Sequence, residues 1–218
     1  MELTPTQNVN EYKNGHGDTI FFKENEFLYP LLKSSDIKKD HINKTRKFVI
    51  VTQRKPKSDT SIIKDISIEV WEYLNANKTF LQNRKSSIYK NAPDFSIFGV
   101  GDYSFSKYKV GVSGFYKEPQ FSLISADRPI MLDDTCYFLS FDSLEVAAIV
   151  TALLNSDECK KFLKSIAFLE SKRPYTKEVL KRISIRKLFD MKGFDYVTKY
   201  CKRLNIEVQT NFDSLLVD

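Results

Sequence analysis

The sequence predicts an α+β protein: a mixed or antiparallel β-sheet region followed by a helical C-terminal part. Two observations carry this. Between Phe95 and Phe141, the segments FSIFGV, KYKVGVSGF, QFSLI and TCYFLSF are short, rich in aromatic and β-branched residues, and divided by Gly, Pro or Asp. From Asp142 onward the apolar residues take helical spacing, behind short side chains able to cap a helix.

The elements follow in order. Residues 1–26 are polar, broken by NGHGD, and read as a lead-in or linker without a core element. Phe48 to Gln53 is apolar, β-branched and short, which is the composition of a buried strand. Ile63, Ile66, Val70, Leu74 and Leu81, with Trp71 beside them, recur near 3.6 residues and predict one amphipathic helix to about Asn83. Pro93 stops any continuation. The four strand-like segments after Phe95 read as a β-meander. Asp142 with Glu145 forms a capping box for a helix over AAIVTALLN. Ser156 caps KKFLKSIAFL and Thr176 caps KEVLKRI, and a last helix runs near Phe194 to Leu204. The chain thus divides into a lead-in (1–26), a main body (27–190) and a C-terminal helix and tail (191–218).

Composition narrows the function classes. With 42% hydrophobic and 28% charged residues, the chain can bury a core and is not of disordered type. No apolar run approaches the roughly 18 residues of a membrane span, and no basic-then-apolar leader opens the sequence, so a cytoplasmic location is expected. Cys136, Cys159 and Cys201 are far apart and form no CxxC pair, which argues against a zinc knuckle or disulfide framework and for buried free thiols. With two histidines, a histidine-rich metal site is not expected.

The net charge of +6 is unevenly spread. Lys33 to Lys64 holds ten Lys or Arg against three Asp, and Lys160 to Lys187 holds ten against two Glu. Two basic zones of this kind attract a polyanion, or else form a solvated surface.

Phe98 to Pro119 holds four of the seven glycines, at 99, 101, 111 and 114. A dinucleotide or methyl-donor loop needs strand, glycine turn and then a helix N-terminus, and a phosphate loop needs a terminal Gly-Lys-Ser/Thr. Neither context is present. The stretch instead alternates: Tyr103, Phe105, Lys107 and Lys109 share one parity, Tyr108, Val110 and Val112 the other. Lysines and aromatics on a glycine-thinned sheet suit a nucleic acid, or else an ordinary core sheet with bulges. RKSSIYKNAP and ESKRPYTKE are basic, hydroxyl-bearing loops at helix boundaries, able to bond phosphate oxygens or simply to cap helices.

LYPLLKSSDI, TRKFVIVTQR, RKSSIYKNAPDFSIFGVGDYSFSKYKVGVSGFYKEP, RPIMLDDTCYF and LLNS with FLKSIAFLESKRPYTKEVLKRI, in that order, resemble the C-terminal target recognition domain of TaqI-like adenine-specific DNA methyltransferases of prokaryotic restriction–modification systems. The resemblance runs from about Leu28 to Ile185. It implies a DNA target recognition domain over 27–190 that grips double-stranded DNA and reads its sequence. A separate catalytic domain or subunit would bind S-adenosylmethionine and flip the adenine into a pocket with an Asn-Pro-Pro-Tyr type motif. No Asn-Pro-Pro occurs in this sequence, so neither catalysis nor cofactor binding is expected of this chain alone. An excised domain, a separately encoded specificity polypeptide and a remnant all fit.

Within the matched motifs, Lys85, Ser86, Ser87, Tyr89 and Lys90 form one set, Lys107, Lys109, Ser113, Tyr116 and Lys117 a second, and Lys172 and Arg173 a third. Chemistry assigns the six lysines Lys85, Lys90, Lys107, Lys109, Lys117 and Lys172, with Arg173, to phosphates, and places Ser113 and Tyr116 nearer the bases. Arg173 could alternatively read a guanine through its fork. Two other readings stand beside this one: a small metal-dependent nuclease using Asp133 and Asp134, although Asp is also a common turn former, and a protein-interaction module that docks a methyltransferase or nuclease subunit.

Overall fold

The computed structural model describes residues 1–23 and 26–209. The final residues of the expected C-terminal tail, 210–218, lie outside the described residues. The chain divides into two compact units that interleave along the sequence: Met1–Leu31, Thr45–Phe105 and Arg128–Met131 form the first, and Leu32–Lys44, Ser106–Asp127 and Leu132 onward the second. The α+β class holds, with sheets and helices in one chain.

β1 (Glu2–Pro5), β2 (Glu11–Lys13), β3 (Thr19–Phe21), β4 (Leu28–Leu32), β6 (Lys47–Ile50) and the two-residue β9 (Met131–Leu132) form one sheet in the order β3-β2-β1-β6-β4-β9, all of it in the first unit except the end residues Leu32 and Leu132. Antiparallel pairing sets Leu3 opposite Phe48 and Tyr29 opposite Val49. Residues 1–23 are therefore not a lead-in: they carry three strands, and Leu3, Tyr12 and Phe22 enter a core with Leu28, Ile50, Ile63, Val70, Leu74 and Phe95. Each of these strands is three or four residues long and supplies about one core side chain, too sparse a pattern for periodicity to register.

The helix expected from Ile63 to Asn83 is three short segments, α1 (Ile63–Ile66), α2 (Ile68–Ala76) and α3 (Lys78–Gln82). Extended backbone at Ser67 (φ −146°, ψ 98°) divides α1 from α2. Ile63, Val70 and Leu74 still reach the core, so the apolar stripe is real while the axis is broken. FSIFGV departs further, since it forms no strand. Phe95 and Gly99 take left-handed backbone (φ 61° and 71°), and its polar groups are met by distant side chains. The Thr52 hydroxyl donates to the Phe95 carbonyl at 2.7 Å, and the Ile97 N–H donates to Gln53 Oε1 at 3.1 Å.

In the second unit β5 (His41–Ile42), β7 (Tyr108–Ser113), β8 (Phe121–Ser125) and β10 (Cys136–Phe141) form a sheet of order β10-β7-β8-β5. β7 and β8 make an antiparallel hairpin with Val110 opposite Leu123, and β10 adds antiparallel to the other edge of β7. β5 joins β8 in parallel. Three of the four segments expected in the meander are thus strands. Val110, Val112, Phe121 and Leu123 belong to one core cluster with α4 (Leu144–Leu154), in which every residue from Ala147 to Leu154 is buried.

The helix caps follow simple chemistry. Ser143, one residue past the expected Asp142, caps α4 by accepting from the Val146 N–H. Ser156 and Thr176 cap α5 (Asp157–Ile166) and α6 (Lys177–Leu180) as the sequence predicts. The last helix, α7 (Ile185–Arg203), is two helical stretches joined at Gly193, whose φ of 75° and ψ of 170° are not helical.

Candidate nucleic-acid interface

Nine of the twelve predicted residues fall into two loop groups, one in each unit; Lys107, Lys109 and Ser113 lie at or in β7. In the first unit, residues 84–91 leave α3 and wrap around Arg84. Its Nε donates to the Leu81 carbonyl at 2.6 Å, its Nη1 donates to the Ser96 carbonyl at 2.7 Å, and its Cζ lies 3.7 Å from the centroid of the Tyr89 ring. A guanidinium so placed fixes the loop from inside, with Tyr89 as its lid. Lys85, Ser86, Ser87 and Lys90 stay exposed around it, Ser87 and Tyr89 within a single 3₁₀ turn. The sequence alone does not single out Arg84. Its only sequence signal is an arginine beside a motif whose tyrosine can return over it.

In the second unit three connections converge: the β7–β8 turn, the β9–β10 turn and the α5–α6 loop. The Gly114 N–H donates to the Thr135 carbonyl at 2.8 Å. A Cβ on Gly114 would stand 2.9 Å from that same oxygen, so only glycine allows the approach. The buried Tyr175 donates its hydroxyl to the Lys117 carbonyl at 2.6 Å, which ties the α5–α6 loop to the β7–β8 turn. Arg173 Nη1 donates to the Asp134 carbonyl at 3.4 Å. Phe115 lies among these groups, with Arg173 Cζ 5.1 Å and Lys172 Nζ 5.7 Å from its ring centroid. Tyr116 is half-buried, and Lys117 is exposed, 3.6 Å from Glu170. The structure thus brings Tyr116, Lys117, Lys172 and Arg173 together on three tied loops, with Lys172 and Arg173 over the Phe115 ring.

Two predicted contacts are corrected. Lys109 is fully buried and its Nζ donates to the Ser106 carbonyl; burial pulls its ammonium down to about 8. Ser113 is also buried and accepts the Phe115 N–H at 3.2 Å. Both side chains lie on the face of β7 that carries Gly111, where a Cβ would meet Ile124, Leu132 and Ile37. That face is covered, so alternation along the strand does not bring Lys109 or Ser113 to the surface. Lys107, outside the strand, is exposed.

The glycine stretch leads through a 3₁₀ turn into a strand, with no helix behind it. Gly99 and Gly101 run into a 3₁₀ turn (Asp102–Phe105) and then β7, and the Tyr103 ring fills the space beside Gly101, 2.6 Å from a built Cβ. The acidic pair serves a turn: Asp133 Oδ1 accepts from the Thr135 N–H at 3.1 Å and from the Thr135 hydroxyl, and Lys33 Nζ lies 3.7 Å from Oδ2. Among the described residues, no group of three or more His, Cys, Asp or Glu side chains is placed to hold a metal ion. Also among the described residues, no helix is long and apolar enough to cross a membrane.

No model of a known protein family matches the chain. The chain is similar to the type II methyltransferase M.NspV of Nostoc sp., with 40% identity over 191 residues. The match takes in 86% of this chain and 39% of that protein, so the chain spans about two fifths of the length of the curated relative it matches. Across nearly all of its length, this chain is therefore related to part of a type II methyltransferase.

Proposed function

We propose that this chain reads the target sequence of double-stranded DNA for an adenine-specific methyltransferase of a type II restriction–modification system in the prokaryotic cytoplasm. Methyl transfer from S-adenosylmethionine is performed by a catalytic domain or subunit other than the residues described here. The likeness to part of a type II methyltransferase carries this reading. One structural feature supports it: exposed cations on short, internally fastened loops. Lys85, Lys90, Lys107, Lys117 and Lys172 meet phosphates, the exposed hydroxyls of Ser86 and Ser87 supplement them, and Tyr116 lies nearer the bases.

The test is duplex binding followed by fluorescence anisotropy across a salt series. Each neutralised phosphate contributes about −0.9 to the slope of log affinity against log salt. Five phosphate contacts give a slope near −4 to −5, and replacing any one of those lysines by alanine lowers it by about one. A flat response, or no duplex binding either alone or with a methyltransferase partner, overturns the proposal.

One observation favours a second role. Phe162, Leu188 and Met191 line a groove between α5 and α7 with Arg182 and Lys187 beside them, and Phe162 and Met191 are exposed. Such a surface suits docking to a methyltransferase or nuclease subunit. Size-exclusion chromatography with that subunit, with and without DNA, separates docking from DNA reading.

A further inference from the structure

We infer that Arg173 is a specificity residue that reads a guanine base, and that Phe115 is the platform that aims it. The inference rests on the DNA-reading proposal above and assigns one residue a task distinct from its lysine neighbours. Several contacts position Arg173. Its backbone N–H donates to Ser171 Oγ at 3.2 Å, Pro174 follows it, and Tyr175 anchors the loop from a fully buried position. Its guanidinium lies over Phe115 and is fastened at one corner to the Asp134 carbonyl. Phe115 is in turn fixed by the Gly114–Thr135 contact, which tolerates no side chain at Gly114.

A guanidinium is planar and carries five N–H donors in a fixed fork. Here one of them is used, and the others have no protein partner among the described residues. An arginine fixed in this way presents donors in one plane at little further loss of side-chain freedom, which suits the paired O6 and N7 acceptors on the major-groove edge of guanine. Asp134 places an exposed carboxylate on the same turn. That charge repels a phosphate approaching Arg173 and has far less effect on a neutral base edge. Lys172 is different: it is exposed, its ammonium lies farther from the ring, and a flexible point charge suits a phosphate.

The experiment is selection of preferred duplexes from a random library by the full chain, run in parallel for R173A, R173K, F115A and K172A, with thermal melts to confirm folding. The parent is expected to enrich a motif containing a guanine. R173A loses discrimination at that one base pair by about ten- to a hundredfold and keeps the rest of the motif. R173K does not restore it, because an ammonium lacks the fork. F115A weakens discrimination at the same base pair with Arg173 still present. Replacing that guanine by 7-deazaguanine, which removes N7, weakens binding by the parent and leaves R173A unaffected. K172A lowers affinity for all duplexes alike and reduces the salt slope by about one. If R173A instead weakens every duplex equally, lowers the salt slope, and is restored by R173K, Arg173 holds a phosphate: the inference falls and DNA reading stands. If the parent enriches no motif and binds no duplex, DNA reading fails and takes the inference with it.

Discussion

Lys109 shows how far a single residue can depart from its apparent role. It belongs to a lysine-rich motif, yet the ammonium is sealed inside the second unit against the Ser106 carbonyl. Desolvation disfavours its charged form and lowers it from 10.5 to about 8. A shift of that size stands for roughly 3 kcal/mol against the folded state wherever the lysine is charged in both states. The sign follows from proton counting. Between pH 8 and 10.5 the unfolded chain keeps a proton that the folded chain has released, so stability from this group rises with pH across that window and is constant below it. K109M should therefore be more stable than the parent at pH 7 in urea unfolding, and its margin should shrink steadily toward pH 10.5. The buried tyrosines, whose hydroxyls burial holds protonated to higher pH, act equally in both proteins and cancel in the difference. A margin that stays constant from pH 7 to 10.5 would mean that Lys109 is charged in the fold throughout. DNA affinity and its salt slope should not change in K109M, because the side chain does not reach the surface.

At the scale of elements, the clearest prediction concerns α7. Gly193 interrupts the helix at φ 75° and ψ 170°, a region that side-chain-bearing residues avoid, although nothing stands within 4 Å of a built Cβ. G193A should cost on the order of 1–3 kcal/mol from backbone strain alone, read as a lower urea midpoint. No loss would mean that α7 straightens through this position at little cost. The sequence shows a helix near Phe194–Leu204 and is silent on its partner from Ile185, because the break itself divides the apolar pattern. Local chemistry was the most legible part. Ser156 and Thr176 cap where their spacing to the next amides requires, and Ser143, not its neighbour Asp142, is the residue three before the Val146 amide that it accepts. Tertiary effects were not legible. Phe95–Val100 has strand composition and is held in turns by Thr52 and Gln53, more than forty residues earlier. Period-two alternation gives Lys109 and Gly111 one face of β7, and Ile37 and Leu132, contributed by remote segments, close over that face. The candidate site divides in the same way. Its exposed lysines could be named from their motifs, whereas Arg84 and Phe115 acquire roles only when separate loops meet them.

Across the whole chain, the three cysteines give a selective probe. Cys136, Cys159 and Cys201 are all buried, all belong to the second unit, and burial pushes each thiol up, Cys159 to about 12 and Cys201 to about 11. Thiolates are the reactive form, so the native protein should label slowly with a thiol reagent at neutral pH. The rate should climb with urea as the second unit opens. A full equivalent of thiol reacting at once without denaturant would contradict this burial. The interleaved connectivity of the two units bears on protein engineering. The chain passes back and forth between them at residues 31, 44, 105, 127 and 131, so one cut at any position strands part of at least one unit. Chimeras with relatives made by splicing contiguous blocks would inherit half-built cores. New binding preferences are better grafted loop by loop onto an intact frame.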